Sequence, residues 1–345
     1  MLYRASRTVW VTASILFCFA FLFWQILLRS PLRNEYWQIQ LSEVFAAWLY
    51  LPLLPLLAGA LLLCSRNALV ALLPPLLVFG IHYGAQFLPN WQLALADLND
   101  APRLRVMTWN MLYTSQLEGA FFTEIQTLQP DIIALQEVGY TIENEMVALL
   151  GNEYPYYSVQ SVGSSSGLAI WSKLPILRSE QSGARLLGCI CIRLTLDLEG
   201  HPITVMTTHP WSPQIHYSRR RSRIPRVTYF STDDQDLVMR ALVKQVAAAS
   251  RPLLLLGDLN TTEQQANFRT LRQQGLQDAH EAAGWGMGFT YPNPESLYGR
   301  RRRIPPIIRI DHILFSPEWR TLAVWTGSIP VSDHLYVVAD LALSQ

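Results

Sequence analysis

The sequence predicts an α/β domain carried behind three transmembrane helices. Three observations predict it: apolar runs of membrane-spanning length confined to the first 88 residues, a change of character near Pro89, and strand-like and helix-like runs that alternate from Arg103 onward. Half of the 345 residues are hydrophobic and only 15% are charged, an apolar balance for a soluble protein, and the surplus is not spread evenly.

Val9 to Leu28 is 20 residues long with Gln25 its only strongly polar member, and Val44 to Cys64 and Ala68 to Leu88 are 21 residues each without a charge. Each is long enough to cross a hydrocarbon core of ~30 Å as a helix. RSPLR follows the first run where a signal peptide would carry a small-x-small cleavage site. Pro52, Pro55, Pro74 and Pro75 would break soluble helices but are tolerated in membrane ones, where neighbours satisfy the freed carbonyls. Trp10, Trp24, Trp48, Tyr50, Tyr83 and Trp91 lie mostly toward the ends of the runs, as interfacial aromatics do. Arg4, Arg7 and Arg66 favour a cytoplasmic N-terminus, which three spans convert into an outward C-terminal domain; Arg29, Arg33, Arg103 and Arg105 oppose it. Residues 1–88 are thus expected to form a membrane domain. PNWQLALADLNDAP, 89–102, reads as a linker with a proline at each end, and 103–345 as one large domain.

In that domain Leu104 to Trp109 predicts a strand, Leu117 to Leu128 a helix with Phe121, Ile125 and Leu128 on one face, and Ile132 to Leu135 a buried strand. Gly167 to Trp171, Ile190 to Leu196 and Ile203 to Thr208 are further strands. Thr232 to Ala249 is a helix capped by Ser231 or Thr232. Leu253 to Leu256, Ile310 to Phe315, Leu322 to Trp325 and Tyr336 to Leu341 complete the strands.

Six of these strands run straight into polar residues: WN at 109–110, QE at 136–137, TTHP at 207–210, GDLN at 257–260, RIDH at 309–312 and SDH at 332–334. Asp258 and Asn260 are two apart and would face one spot from an extended chain, although alone they also suit a loop that caps a following helix. Six repetitions suggest one polar site gathered at one end of a sheet or sheet pair. Asn110, Glu137, Asp258 and Asp333 are hard oxygen donors, a set that suits Mg²⁺ or Mn²⁺ better than zinc. His334 would take a proton from water, with Asp311 fixing its tautomer. His209 and Asn260 would donate to a phosphoryl oxygen. The combination reads as metal-assisted attack of water on a phosphate ester.

The stretches RVMTWNMLY, DIIALQEV, GLAIWSK, VMTTHP, LLLLGDLNTT, RIDHILFS and VSDHLYVVADL span nearly all of Arg103 to Leu343. In this order they resemble the endonuclease/exonuclease/phosphatase superfamily, the DNase I-like fold. The resemblance implies a four-layer αββα sandwich, two sheets face to face with helices outside. It implies Glu137 on an essential Mg²⁺ with Asn110 beside it and Asp333 nearby. It implies Asp258 and Asn260 orienting the water or the phosphate, His209 as acid or oxyanion donor, and His334 as base oriented by Asp311. One departure is visible: some nuclease members carry an acid two residues after the WN asparagine, where this chain has Leu112.

Two arginine-rich runs, Arg219 to Arg226 and Arg300 to Arg303, are expected to be loops flanking the site, with Arg219 and Arg301 among residues that would grip a pyrophosphate, a nucleic-acid backbone or an anionic membrane surface. Cys189 and Cys191, two apart on an expected strand, are poorly placed for a mutual disulfide. Three classes of function stay open. The first is a membrane-bound phosphatase or phosphodiesterase acting on a lipid-linked phosphate, since the architecture resembles bacterial members associated with glycopeptide resistance that act on the undecaprenyl pyrophosphate carrier. The second is a membrane-tethered nuclease, against which stands a net charge of only +1. The third is a non-catalytic binding module, against which stands the intact set of catalytic residue types. The first places the protein in the bacterial plasma membrane with the domain outside the cytoplasm.

Overall fold

A computed structural model describes residues 2–88, 100–112, 119–160, 167–183, 190–218, 226–296 and 304–344. The chain divides into two compact units, Met1–Leu88 with Gln214–Ser231, and Pro89–Pro213 with Thr232–Gln345. The expected linker, 89–102, lies mostly outside the described residues.

The first unit contains α1 (Leu2–Arg29), α2 (Leu32–Glu35), α3 (Trp37–Val44), α4 (Leu53–Leu62) and α5 (Arg66–Tyr83). The stretches Ala5–Arg29 and Arg66–Phe87 are long and apolar enough to cross a membrane. Ser65 caps α5 by accepting the Ala68 N–H, and Pro74 and Pro75 sit inside that helix. The second apolar run departs from the expected straight span: Trp37–Val44 and Ala46–Leu62 form a pair bent by 83°. The break falls at Phe45, whose backbone is not helical, and α4 starts only after Pro52, whose fixed φ suits a helix start.

The second unit is a mixed α/β sandwich. In chain order its strands are β1 (Arg103–Asn110), β2 (Ile132–Gln136), β3 (Tyr156–Gln160), β4 (Leu168–Ser172), β5 (Ile176–Gly183), β6 (Ile190–Leu198) and β7 (His201–Thr208). After the hairpin β8 (Gln214–Ser218) and β9 (Arg226–Ser231) come β10 (Leu253–Asp258), β11 (Gln277–Asp278), β12 (Asp311–Phe315), β13 (Trp319–Gly327) and β14 (Tyr336–Leu343). One six-stranded sheet has the order β13-β14-β1-β2-β4-β3 and the other β11-β12-β10-β7-β6-β5. β1–β2 and β7–β10 are parallel pairs; β12 and β14 close against β10 and β1 antiparallel.

The helices are α6 (Gly119–Leu128), α7 (Tyr140–Leu150), α8 (Asp233–Ala247), α9 (Ala266–Arg272) and α10 (Ala279–Ala283). Three cores stack. Val106, Ala134, Leu194, Val205, Leu254 and Ile313 fill the space between the sheets. Met107, Ile133 and Trp171 pack under Phe121, Ile125 and Met146 of α6 and α7. Met206, Leu253 and Leu255 pack under Val238, Leu242 and Phe268 of α8 and α9. Strands buried on both faces therefore read as unbroken apolar runs, as β2 and β10 do. Helix α8 starts one residue later than its pattern suggested: Thr232 is the N-cap residue but makes no side-chain cap bond, and Asp233, Asp234 and Asp236 face the positive helix end instead.

Candidate active site

The site forms where the central strands of the two sheets run out together. Asn110 ends β1, and Glu137 follows β2, with Asn110 level with Gln136 across the parallel pair. His209 follows β7. Asp258 ends β10 directly opposite Asp311, the first residue of β12. Gly257 allows this crowding: a Cβ there would lie 2.2 Å from the Thr208 carbonyl oxygen. Behind the site the buried Gln136 amide donates to Thr108 Oγ1 and Thr207 Oγ1, both at 3.1 Å, tying one sheet to the other.

Asn110 makes the second tie. Its Nδ2 donates to Glu137 Oε1 and to Asp258 Oδ2, both at 3.0 Å, while its Oδ1 accepts the Leu112 N–H at 3.0 Å. The amide therefore turns its donor, rather than the oxygen expected to help hold a metal, toward the carboxylates. Glu137 adopts φ +58° and Asn260 φ +50°, sparsely populated conformations for residues with a Cβ that gather at functional sites. The Asn260 N–H donates to Asp258 Oδ1 at 2.8 Å, but its side chain donates to the Pro210 carbonyl at 3.0 Å, away from the acids.

The imidazoles bridge the carboxylates. His209 Nε2 lies 3.3 Å from Asp258 Oδ2 and 3.9 Å from Glu137 Oε1. His334 Nδ1 donates to Asp311 at 3.0 Å, which leaves Nε2 facing inward, 3.8 Å from Asp258 Oδ2. Asp258, Asp311 and His334 are buried and offer ligand atoms within 4.8 Å of one another. Burial opposes charge on His334, but Asp311 and then Asp258 outweigh it and push its pKa up to about 10. Burial likewise opposes charge on His209, and Asp258 and Glu137 raise its pKa. Burial would raise the Asp258 pKa, yet His334, His209 and Asn110 pull it down to about 2. Burial wins at Asp311 and Asp333, whose pKa values are raised.

Asp333 is half-buried beside this group, and its carbonyl accepts the Asn293 N–H at 2.7 Å. Arg219 and Arg301 lie outside the described residues, while Arg226 lies exposed at the start of β9.

Sequence reasoning missed the supports. Ser332 Oγ donates to the Asn110 carbonyl at 2.5 Å and accepts the His334 N–H, which joins the SDH turn to β1. Thr290 Oγ1 accepts the Asp311 N–H at 3.2 Å, and the Tyr291 ring lies 4.8 Å from that of His334. His312, on the other face of β12 from Asp311, is paired with Asp278 at 3.0 Å and meets the Thr261 carbonyl at 3.0 Å, bracing the loop after Asp258. The T-Y-P triplet at 290–292, just before the second arginine run, was the only hint of the Thr290 and Tyr291 contacts.

Residues 107–334 match the profile of the Endonuclease/Exonuclease/phosphatase family. The chain is similar in structure to an endonuclease/exonuclease/phosphatase from Bacteroides vulgatus, with a TM-score of 0.53 at 17% identity over 70% of this chain and 99% of the other. A similar protein of that description from Beutenbergia cavernae gives 0.51 at 20% identity, over 70% and 72% of the two chains. D. rerio TDP2 complexed with single strand DNA product gives 0.52 at 16% identity, over 69% and 98%. At these identities the likeness is one of fold. No curated protein sequence matches the chain.

Proposed function

Because the chain belongs to the Endonuclease/Exonuclease/phosphatase family, we propose that it is a membrane-anchored hydrolase of phosphoric ester or phosphoanhydride bonds, dependent on Mg²⁺ or Mn²⁺. Its substrate is a lipid-linked phosphate or pyrophosphate at the bacterial plasma membrane. The observation that carries this reading is the convergence of Glu137 from one sheet and Asp258 from the other on a single nitrogen, Asn110 Nδ2. Two carboxylates gathered on one nitrogen, Asp258 held charged by its neighbours, form the kind of oxygen donor set that suits a hard divalent cation. Glu137 and Asp258 would hold the cation, with Asp333 beside them. Bound there, it would supply Lewis-acid polarisation of a phosphoryl oxygen and a more acidic water. The chain's own residues do the rest. His334, oriented through Nδ1 by Asp311, presents Nε2 to the nucleophile; a cation on Glu137 and Asp258 would offset the Asp258 charge that helps keep this imidazole protonated, freeing Nε2 to accept a proton. His209 Nε2 carries a proton toward the phosphoryl or leaving-group oxygen.

Membrane anchoring rests on the first unit. Trp24 Nε1 donates to Ser42 Oγ at 2.7 Å near one end of α1, and Tyr3 Oη donates to the Leu63 carbonyl at 2.8 Å at the other. Trp24 and Tyr3 are 21 residues apart in one helix, about 31 Å at ~1.5 Å per residue, which matches the ~30 Å hydrocarbon thickness. The bent pair thus runs the full depth alongside α1, which favours three spans with residues 103–345 as the catalytic domain. Arg4 and Arg7 then put that domain outside the cytoplasm.

A second reading, a tethered nuclease, draws on the fold likeness to a protein crystallised with single-stranded DNA product. Purified full-length protein with Mg²⁺ is expected to release phosphate from a polyprenyl pyrophosphate and to leave single-stranded and duplex DNA intact. Faster cleavage of DNA with the lipids idle would replace the first reading by the second. Hydrolysis of neither, with Mg²⁺ or Mn²⁺, would leave only a binding module.

A further inference from the structure

The β8–β9 hairpin interrupts the sandwich sequence between Pro213 and Thr232 yet groups with the helices of the first unit, where β9 packs against α3. A two-stranded hairpin is marginal in water and needs a surface to rest on. Its register sorts its faces. Ile215 pairs with Phe230 and Tyr217 with Val227, so these four share one side; His216 pairs with Tyr229 and Ser218 with Arg226 on the other. Phe230 is buried, but Ile215 is 36% and Tyr217 57% exposed, an apolar face without a full cover. On the opposite face the Tyr229 ring lies 5.1 Å from that of His216, with Arg226 exposed.

The seat of the hairpin fixes its depth. Glu43 of α3 accepts two hydrogen bonds from Arg33, at 3.0 and 2.7 Å. A charged pair of this kind belongs at the polar boundary of a bilayer rather than in its hydrocarbon. Beyond that boundary the neighbouring helices expose Phe19, Phe23, Leu62 and Ile81, the apolar belt that lipid tails would cover. From the face, the seat and the belt, we infer that the β8–β9 hairpin is a bilayer-surface element that binds anionic phospholipid. The Ile215–Tyr217 face enters the boundary between headgroups and acyl chains, as interfacial aromatics do, and Arg226 on the other face stays within a Debye length, ~10 Å, of the surface and is drawn toward its anionic headgroups. The inference rests on the membrane-spanning part of the proposed function and not on the hydrolytic part.

The test uses the full chain in nanodiscs, with Cys18, Cys64, Cys189 and Cys191 replaced by alanine and an environment-sensitive fluorophore on Tyr217→Cys. Lipids spin-labelled near the headgroup are expected to quench the probe. Arg226→Gln should lower the preference of the quenched state for phosphatidylglycerol over phosphatidylcholine by about fivefold, the contribution of one basic residue near an anionic surface. Ile215→Cys reads the same face should the first variant fold poorly. A probe unquenched at both positions overturns the inference. Quenching is read apart from turnover, so hydrolysis with an unquenched probe sinks the hairpin alone, and quenching without hydrolysis sinks the enzymatic reading alone.

Discussion

Replacing Glu137 by glutamine is expected to abolish metal-dependent turnover while leaving the fold intact. Glutamine keeps the shape and an oxygen that accepts from Asn110 Nδ2, so the tie between the sheets survives. What disappears is the charge facing Asp258 across that nitrogen, and with it half of the anionic pair suited to a hard cation. A bound ion acting as Lewis acid is worth several kcal/mol, so a fall of roughly 10³-fold or more follows at ~1.4 kcal/mol per decade. Mg²⁺ titrations of rate and Mn²⁺ binding calorimetry check it together. Wild-type activity at limiting Mg²⁺ would remove Glu137 from the centre, and a broad loss of thermal stability would show that the variant had damaged more than charge.

His334→Ala is expected to cost ~10²–10⁴-fold in kcat, the usual worth of a positioned acid–base group, with little change in metal affinity. Asp311→Asn does the same less severely, because the 3.0 Å contact to Nδ1 can persist while its charge is lost. A rival assignment makes His209 the base, since its Nε2 also reaches Asp258, and it reverses the order of damage between the two alanine variants. More than about a tenth of the wild-type rate in His334→Ala, below the least effect ascribed to such a group, would decide for the rival. The proton inventory offers a second measurement. Free imidazole titrates near ~6.5, whereas folded His334 is pushed up to about 10, burial opposing the charge and Asp311 and Asp258 prevailing. The folded state thus binds the extra proton between those values. Its stabilising effect is complete below the unfolded pKa and is lost as pH rises through about 10. Metal-free His334→Ala should therefore show a flatter alkaline loss of stability than the metal-free parent, with Asp311 titrating as part of the same pair.

Much of this architecture was legible because burial on both faces writes itself into sequence. Ile132–Gln136 and Leu253–Asp258 are continuous apolar runs that stop at a polar residue, and the structure buries every position of both strands. The amphipathic period read over Leu117 to Leu128 likewise placed Phe121 and Ile125 inward, with Leu128 partly buried; residues 117–118 lie outside the described residues. What resisted reading was solvated or bent. Gln214–Ser218 is a hairpin strand with largely exposed side chains and Tyr156–Gln160 an edge strand only partly buried, so no apolar period marks them. The 83° bend was not read because it falls at Phe45, at the very start of the uncharged run Val44 to Cys64, and couples that run to Trp37–Val44, whose Glu43 had set the run's boundary. At the site, residue types foretold the acids and imidazoles, but not that Asn110 would offer its nitrogen, or that Ser332 and Thr290 would hold the SDH turn and Asp311 in place. Such contacts depend on strand register between distant segments, which single-sequence periodicity does not encode.

The pairing of β1 with β14 sets a clock on biosynthesis. Arg103 lies opposite Ala342, so the first strand of the sandwich waits until Ala342 has been made before one of its edges is covered. At ~5–20 residues per second the ribosome needs roughly 10–50 s to cross that interval. For nearly all of it the helices of the first unit are already made, while β1 stands open and neither Asp333 nor His334 exists. The candidate site is complete only once β14 has been made, and a chain that stops before Tyr336 leaves that edge of β1 uncovered.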